Sequence, residues 1–571
     1  MRIIFLFVFS ILLVACNDTP PPEGETGPGD EAAEQADGQV DDRGLEVPEL
    51  PGTGISESIY VEHLKTLSSD EFEGRAPGTR GERLTLDYLV GEFREMGLEP
   101  GYGDSFLQPV EMREINNEHR SDLVIGFDDD SSLTLSYPEE MIIWSRRPDS
   151  EHAVEDSELV FVGYGVVAPE YDWNDYEGLD VEGKTVIILV NDPGFATDDE
   201  ALFNGKAMTY YGRWTYKYEE AARQGAAGAI IVHETEPASY GWDVVANSWS
   251  GPQFELGESG DEPLMAIEGW ITDDSARELF SRSGQDFDEL KEQARTADFQ
   301  WAALDASLDA DVRHRIREGT SYNVLAKVPG ESRPDETIVY TAHWDHLGRN
   351  LAVPGSEGIY NGAIDNASGT AGILELARVF SEGPPPERSV LFLAVTLEEY
   401  GLLGSRHYVN EPVFPHAQTV ANINMDAMTM IGPTEDVVVV GYGNSELEEY
   451  LAAAVKTQDR HVVPEPTPEA GFYYRSDHFN FARAGIPALY AKGGIQHQDK
   501  GEEYGRKQQR DYTENRYHQT ADEFNTDWDF RGVVEDMELM YKVGRMLADS
   551  EDWPEWYEGN EFRAIRQQQR P

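Results

Sequence analysis

Histidine and carboxylate residues recur in short motifs between positions 343 and 518, each closing or following an apolar run. The motifs are Thr341-Ala342-His343-Trp344-Asp345-His346, Asn361-Gly362-Ala363-Ile364-Asp365-Asn366, Leu397-Glu398-Glu399-Tyr400-Gly401, Asn424-Met425-Asp426 and Tyr517-His518. Zinc takes imidazole nitrogen and carboxylate oxygen, and a catalytic zinc keeps one position open for water. Two zincs ~3.5–4 Å apart need a shared carboxylate and can clamp an attacking oxygen between them. A bridging Asp, one His per metal and one terminal carboxylate per metal form the smallest protein set for that task. A further carboxylate must stand beside the water to take its proton. Glu398 and Glu399, adjacent at a strand end, can divide into one ligand and one base. Taken singly, each motif has a plain reading: an Asp in Asn-Met-Asp is commonly a strand-end cap, and a Glu pair a solvated helix start. Their order and number carry the chemistry.

In that order the motifs resemble the co-catalytic zinc aminopeptidases, a family that also includes glutamate carboxypeptidase, the inactive transferrin receptors and glutaminyl cyclases. The resemblance runs from about Ile55 to Ser550. It implies two zincs: one held by His343, Asp426 and bridging Asp365, the other by Glu399, His518 and the same Asp365. It implies Glu398 as general base, acting on a water between the metals, and Asp345 as the partner that orients His343, as metal-bound imidazoles require. It also implies a cis peptide bond at Asp365-Asn366. His346 is read as a hydrogen-bonding neighbour, because one His of its motif suffices for the metal. Ser476-Asp477-His478 resembles a family turn near the site and is either structural or substrate-adjacent. The activity implied is an aminopeptidase that acts on peptides with a free N-terminus. The alternatives are a metallocarboxypeptidase, for which Arg475 is a candidate carboxylate clamp, a one-zinc glutaminyl cyclase, and a receptor-like protein with a dead site. Both histidines and both terminal carboxylates are present, which disfavours the last two.

The elements that must position these groups are legible as apolar runs. Asn323–Ala326, Thr337–Tyr340, Val390–Leu393 and Thr419–Ile423 suit buried strands. Gly369–Phe380 is apolar at helical spacing between two of them, as is the stretch from Glu82 through Phe93 to Met96. Strands alternating with helices predict an α/β domain, a helix-flanked mixed sheet with ligands at strand ends. The segment from Gly493 to Arg516 is read as a loop lining the cleft, its charged run from Asp499 to Arg510 as solvated. The preceding Phe72-Glu73-Gly74-Arg75-Ala76-Pro77-Gly78 resembles the family's N-terminal segment. Residues 151–315 carry Leu159–Val162, Lys184–Leu189 and Gly225–Val232, and resemble an inserted, β-rich protease-associated domain. The resemblance implies that it covers the cleft; a spacer without effect on catalysis is the other reading. The peptidase domain is then 55–150 together with 316–550.

Met1-Arg2, an apolar run from Ile3 to Ala15 and Leu13-Val14-Ala15-Cys16 read as a signal peptide over 1–15 ending in a bacterial lipobox. Lipidation of Cys16, the sole Cys of 571 residues, predicts a membrane-anchored protein of the cell envelope, with no disulfides. Asn17 carries no inner-membrane retention signal, so an outer-membrane anchor is expected. Residues 16–54 are Pro-, Gly- and acid-rich and predict a disordered spacer; the tail 551–571 suggests no function. A net charge of −63, from 108 acidic against 45 basic residues, excludes nucleic-acid binding, which needs a basic face. It suits a saline environment, or weak steering of cationic substrates once salt screens it. Nothing in the sequence sets the oligomeric state.

Overall fold

A computed structural model describes residues 40 and 42–570, apart from 53, 119–121, 200, 258–262, 351–352 and 354. The signal segment, Cys16 and most of the spacer lie outside the described residues. Among those described, no helix is long and apolar enough to cross a membrane.

The apolar runs become one mixed sheet. Its strands are β1 (Leu107–Asn117), β2 (Ala302–Val328), β3 (Arg333–His343), β4 (Arg388–Val395), β5 (Thr419–Asn424), β6 (Asp436–Val439), β7 (His461–Pro464) and β8 (Ala488–Gly493). The spatial order is β1-β2-β4-β3-β5-β8-β6-β7. Neighbours among β4, β3, β5 and β8 are parallel, so their carboxyl ends share one edge.

Alternation along the strands builds two cores. Ile338 and Tyr340 of β3 and Val390 and Phe392 of β4 join one cluster with the helices Glu57–Leu67, Ser368–Glu382 and Arg531–Asp549. Val339, Leu391 and Leu393 point to the other face, against Tyr408 and Phe481 from the helices Leu403–Asn410 and His478–Arg483. Side chains two apart share a face of a strand, and covering both faces explains why these strands read as continuous apolar runs. The α/β architecture of a helix-flanked mixed sheet is therefore present.

A second sheet departs from the expected module. It runs from Ser132–Leu135 through Leu123–Phe127, the amino-terminal half of β2, Glu151–Phe161, Thr185–Leu189, Gly228–His233 and Ile267–Thr272 to Met141–Trp144. Helices cover both of its faces: Leu279 and Phe280 pack with Ile187 and Ile230, while Tyr218 and Ala221 pack with Ile188 and Ile231. The layer is rich in strands, with helices on its faces that include Trp214–Gln224. The sheet reaches outside 151–315 at the amino-terminal side, while β2 passes from this sheet to the first between Arg313, opposite Glu151, and His314, opposite Asn117. Leu123–Trp144 already belongs to it, and β2 passes through both sheets as one 27-residue strand. Gln253–Leu256, inside the block, pairs with β1 of the first sheet.

The ends also differ from expectation. Leu45, Val47 and Leu50 pack on the first core, and Arg43 reaches Glu446 at 2.6 Å, so the spacer ends near residue 42. In the tail, buried Trp556 donates its indole N–H to Gly485 O at 3.0 Å. Arg566, 1% exposed, donates to His416 O and Thr419 O at 2.9 and 2.8 Å. Residues 551–570 are a structural strap.

Candidate metal centre

The parallel strands deliver their ligands to a common edge. His343 is the last residue of β3, Glu398 and Glu399 lie just beyond β4, and Asp426 lies two residues beyond β5. Asp365 sits in the irregular turn Ala363–Ala367 that opens the helix Ser368–Glu382. Its peptide bond to Asn366 is cis. Gly362, at φ +52°, makes the turn possible: a Cβ there would overlap Asp365 O and the His346 ring. His518 follows the helix Gly501–Asn515 and is itself held at φ +54°.

The structure brings all six side chains together. His343 Nε2 lies 3.2 Å from Asp365 Oδ1, 3.5 Å from Asp426 Oδ1 and 3.9 Å from Glu398 Oε2. His518 Nε2 lies 3.3 Å from Asp365 Oδ2 and 2.9 Å from Glu399 Oε2. The two oxygens of Asp365 thus face two different imidazoles. His346 Nδ1 bonds Glu399 Oε1, so Glu399 is shared between His346 and His518.

Several residues hold this set in place. Asp345 accepts from Glu398 N at 3.1 Å, and its carboxylate stands 3.9 Å from His343 Nδ1. The nearer partner of that nitrogen is the Asp345 backbone carbonyl, at 3.2 Å. Thr370 Oγ1 donates to His343 O at 2.7 Å. Ser476 Oγ accepts from Asn424 and donates to Asp426 Oδ2 at 2.6 Å, which ties the Ser476-Asp477-His478 turn to a candidate ligand. Asp522, absent from the sequence reading, accepts from the backbone N–H groups of Ile364 and Asp365 at 3.0 and 3.1 Å. Its only sequence signal is an acid four residues after His518. Arg75, within the quoted segment but given no role, donates to Trp344 O, Asn361 O and Gly362 O at 2.9, 2.6 and 2.9 Å. It thereby clamps the β3 end to the Asp365 turn.

The charges are out of balance without a cation. Burial pushes the Glu398 carboxyl well above its usual range, and neighbouring Glu399, Asp477 and Asp426 add to it. Burial would lower the two imidazoles, but the facing carboxylates override it, holding His343 well above its ordinary value and His518 at about 10. Burial would raise Asp365 too, yet the imidazoles of His343 and His518 facing it hold it well below the carboxylate range. His343 Nε2 is buried without a hydrogen-bond partner although three carboxylates surround it. Trios such as His343, Asp365 and Asp426 offer ligand atoms within 4.8 Å of one another. This donor set of imidazole nitrogen and carboxylate oxygen fits a divalent metal of the zinc type.

Two arms of a cleft meet here, both touching Glu398, Arg475, Tyr517 and His518. One is apolar, with Met428, Met430, Ile431, Val438, Phe472 and Trp528. The helix Gly501–Asn515, read as a loop from sequence, contributes Gln508 and Tyr512 to it. The other lies against the second sheet, with Trp144, Arg213, Trp249 and Tyr400. Arg213 is 8% exposed, its Nε has no partner, and burial together with Arg475 lowers its guanidinium to about 10. Second-sheet residues also reach the centre itself: Ser248 Oγ is 2.9 Å from His518 Nδ1, and Asn247 Nδ2 donates to His518 O at 3.2 Å.

The family model described as Peptidase family M28 matches residues 323–541. Aminopeptidase YwaD of Bacillus subtilis is 40% identical over 92 residues, 16% of this chain and 18% of that protein. Transferrin receptor protein 1 of Gallus gallus is 28% identical over 393 residues, 65% of this chain and 46% of the receptor. A solved aminopeptidase from Aneurinibacillus sp. strain AM-1 superposes with a TM-score of 0.51 at 19% identity, over 88% of this chain and 98% of that one, which shows a shared fold. The matches span between 15% and 47% of the length of the curated relatives.

Proposed function

We propose that this chain, whose residues 323–541 match the model of peptidase family M28, is a two-zinc aminopeptidase that releases N-terminal residues from peptides. The observation that carries the reading is Asp365, whose two oxygens stand 3.2 and 3.3 Å from His343 and His518, with Glu398 left over at 3.9 Å from His343. His343 and Asp426 would hold one zinc, Glu399 and His518 the other, and Asp365 both. When bound, the metals would polarise the scissile carbonyl and acidify a water.

Glu398 takes the proton from that water as its oxygen bonds the carbonyl carbon. It returns the proton to the nitrogen as the C–N bond breaks, giving a free amino acid and a shortened peptide. Its elevated affinity for protons suits a group that must take one up and hand it on. Asp426 and Glu398 face the apolar arm and supply negative charge for a free α-amine, while the apolar walls take the side chain. The lipobox at Cys16 supports a lipid-anchored protein of the bacterial envelope. The second sheet supports a protease-associated domain that borders the cleft.

One observation favours a carboxypeptidase instead. Arg213 and Arg475 line the second arm, and the guanidinium of Arg475, 5.1 Å from the Tyr240 ring, could fork onto a terminal carboxylate. A panel of aminoacyl anilides, free dipeptides and N-acetylated peptides separates the two. The expected outcome is about two zincs per chain and loss of cleavage on acetylation. Glu398→Gln should keep the metal and lose ~10²–10⁴-fold in kcat. Release of C-terminal residues from acetylated peptides would overturn the aminopeptidase reading, and a fully active Glu398→Gln enzyme would remove Glu398 from its role.

A further inference from the structure

A metal-binding histidine must present one nitrogen's lone pair to the metal and place its proton on the other. The group bonded to that other nitrogen decides the tautomer and the ring's orientation. For His518 the metal-side nitrogen is Nε2, which faces Glu399 and Asp365. The atom 2.9 Å from Nδ1 is Ser248 Oγ, which belongs to the helix Trp242–Ser250 of the second-sheet region and not to the sheet that carries the ligands. The neighbouring Asn247 donates to the carbonyl of the same His518 at 3.2 Å, and Tyr360 OH donates to Asn247 Oδ1 at 3.3 Å. Ring and backbone of one residue are therefore gripped by two consecutive side chains.

The backbone grip matters because His518 has φ +54°. A non-glycine residue in that region persists only where its surroundings hold it. A docking contact between domains would account for one hydrogen bond across a seam. It would not account for bonds converging on the ring nitrogen and the carbonyl of a candidate ligand, nor for a third bond that fixes the donor. His343 is held by the peptidase region itself, its ring by Asp345 O and its carbonyl by Thr370 of the helix Ser368–Glu382. The two imidazoles thus depend on different parts of the chain.

We infer that Ser248 and Asn247 are positioning residues for His518, so that one of the two metal positions is completed by the second-sheet region rather than by the peptidase sheet alone. Nδ1–H donates to Ser248 Oγ, which leaves the Nε2 lone pair for the metal, and Asn247 holds the loop at the angle that aims it. The inference rests on the two-metal reading of the site.

The test titrates zinc against a competing chelator in the full chain, with Ser248→Ala, Ser248→Thr and Asn247→Ala. Ser248→Ala is expected to weaken one of two zinc affinities by ~10–100-fold and leave the other unchanged, with an unaltered melting curve for the metal-free protein. Ser248→Thr, which keeps the hydroxyl, should restore the affinity, and Asn247→Ala should weaken the same position. Wild-type affinities at both positions in Ser248→Ala, or equal weakening of both, would overturn the inference. A wild-type chain that takes up a single zinc would instead sink the two-metal reading. The inference then stands if that single affinity falls in Ser248→Ala and fails if it does not.

Discussion

At the residue scale, chemistry restricts some positions to one or two side-chain types, and those are the positions legible from sequence. A zinc-type metal takes imidazole, carboxylate or thiolate, and Cys16 is the sole Cys, so the candidate ligands His343, Asp365, Glu399, Asp426 and His518 and the candidate base Glu398 can be picked out, and the structure brings them together. Asp522, Ser248 and Asn247 only accept or donate hydrogen bonds, a task many residues can do, so nothing in their type marks them. The same carboxylates that attract a metal also hold protons on the imidazoles. His518 is held at about 10, so its ring in the metal-free protein is expected to be cationic at pH 7.5, and the same carboxylates push His343 upward. The stability these protons add is fully present below the unfolded value near 6.5 and is lost as pH rises through about 10. Metal binding needs neutral rings, so zinc uptake at pH 7.5 is expected to expel at least one proton per chain, that of His518, and to tighten as pH rises. Calorimetry in buffers of different ionisation enthalpy measures that number. Proton-free uptake would show the rings to be neutral already.

At the element scale, the strands were readable because burial on both faces leaves continuous apolar runs, and the helix Ser368–Glu382 because it is buried on nearly every side. The helix Gly501–Asn515 was not, since only Gly505 is buried and a polar helix has no apolar period to detect. The link between β3 and the Asp365 turn was equally hidden, because it runs through one arginine from a distant segment. Arg75 is 1% exposed, and its positive charge offsets Asp522, Asp345, Asp365 and Glu399, even though burial lowers its guanidinium to about 10. Arg75→Leu keeps much of the volume but removes the donor to the carbonyls of Leu67, Trp344 and Asn361, and leaves Gly362 O with only its bond from Ala367 N. Breaking such a buried charged network costs ~3–5 kcal/mol. Denaturant unfolding of the metal-free protein should show that loss, with Arg75→Lys also destabilised because it keeps the charge without the planar fork. An Arg75→Leu variant within about 0.5 kcal/mol of wild type would show that water replaces the guanidinium.

At the scale of the whole molecule, the sequence suggests a peptidase interrupted by a detachable module, whereas the structure joins the two through a shared strand. β2 pairs with Glu151–Phe161 and Leu123–Phe127 at its start, then with β1 and β4. The sequence does not show this, because the first half of β2 alternates in burial while Asn323–Ala326 is buried continuously, so one strand reads as two different segments. Residues 41–571 accordingly form one compact unit. Replacing 151–315 by a short linker would cut β2 and remove the partners of Leu123–Phe127 and Met141–Trp144. It would also remove Gln253–Leu256 from β1 and Ser248 from His518. The strands left behind would expose buried Leu123, Ile125, Met141 and Ile142, at ~1.5–3 kcal/mol for each fully buried apolar side chain. That loss is of the same order as the ~5–15 kcal/mol by which domains are usually stable, and the lost ladder hydrogen bonds add to it. The excised chain is therefore expected to be insoluble or to lack a cooperative melt. The intact chain should unfold in one transition that moves up with zinc, since a ligand at 100 times its Kd adds about 2.7 kcal/mol. Two separable transitions in scanning calorimetry, only one of them shifted by zinc, would show that the sheets fold independently. The shared strand would then be a seam and not a structural spine.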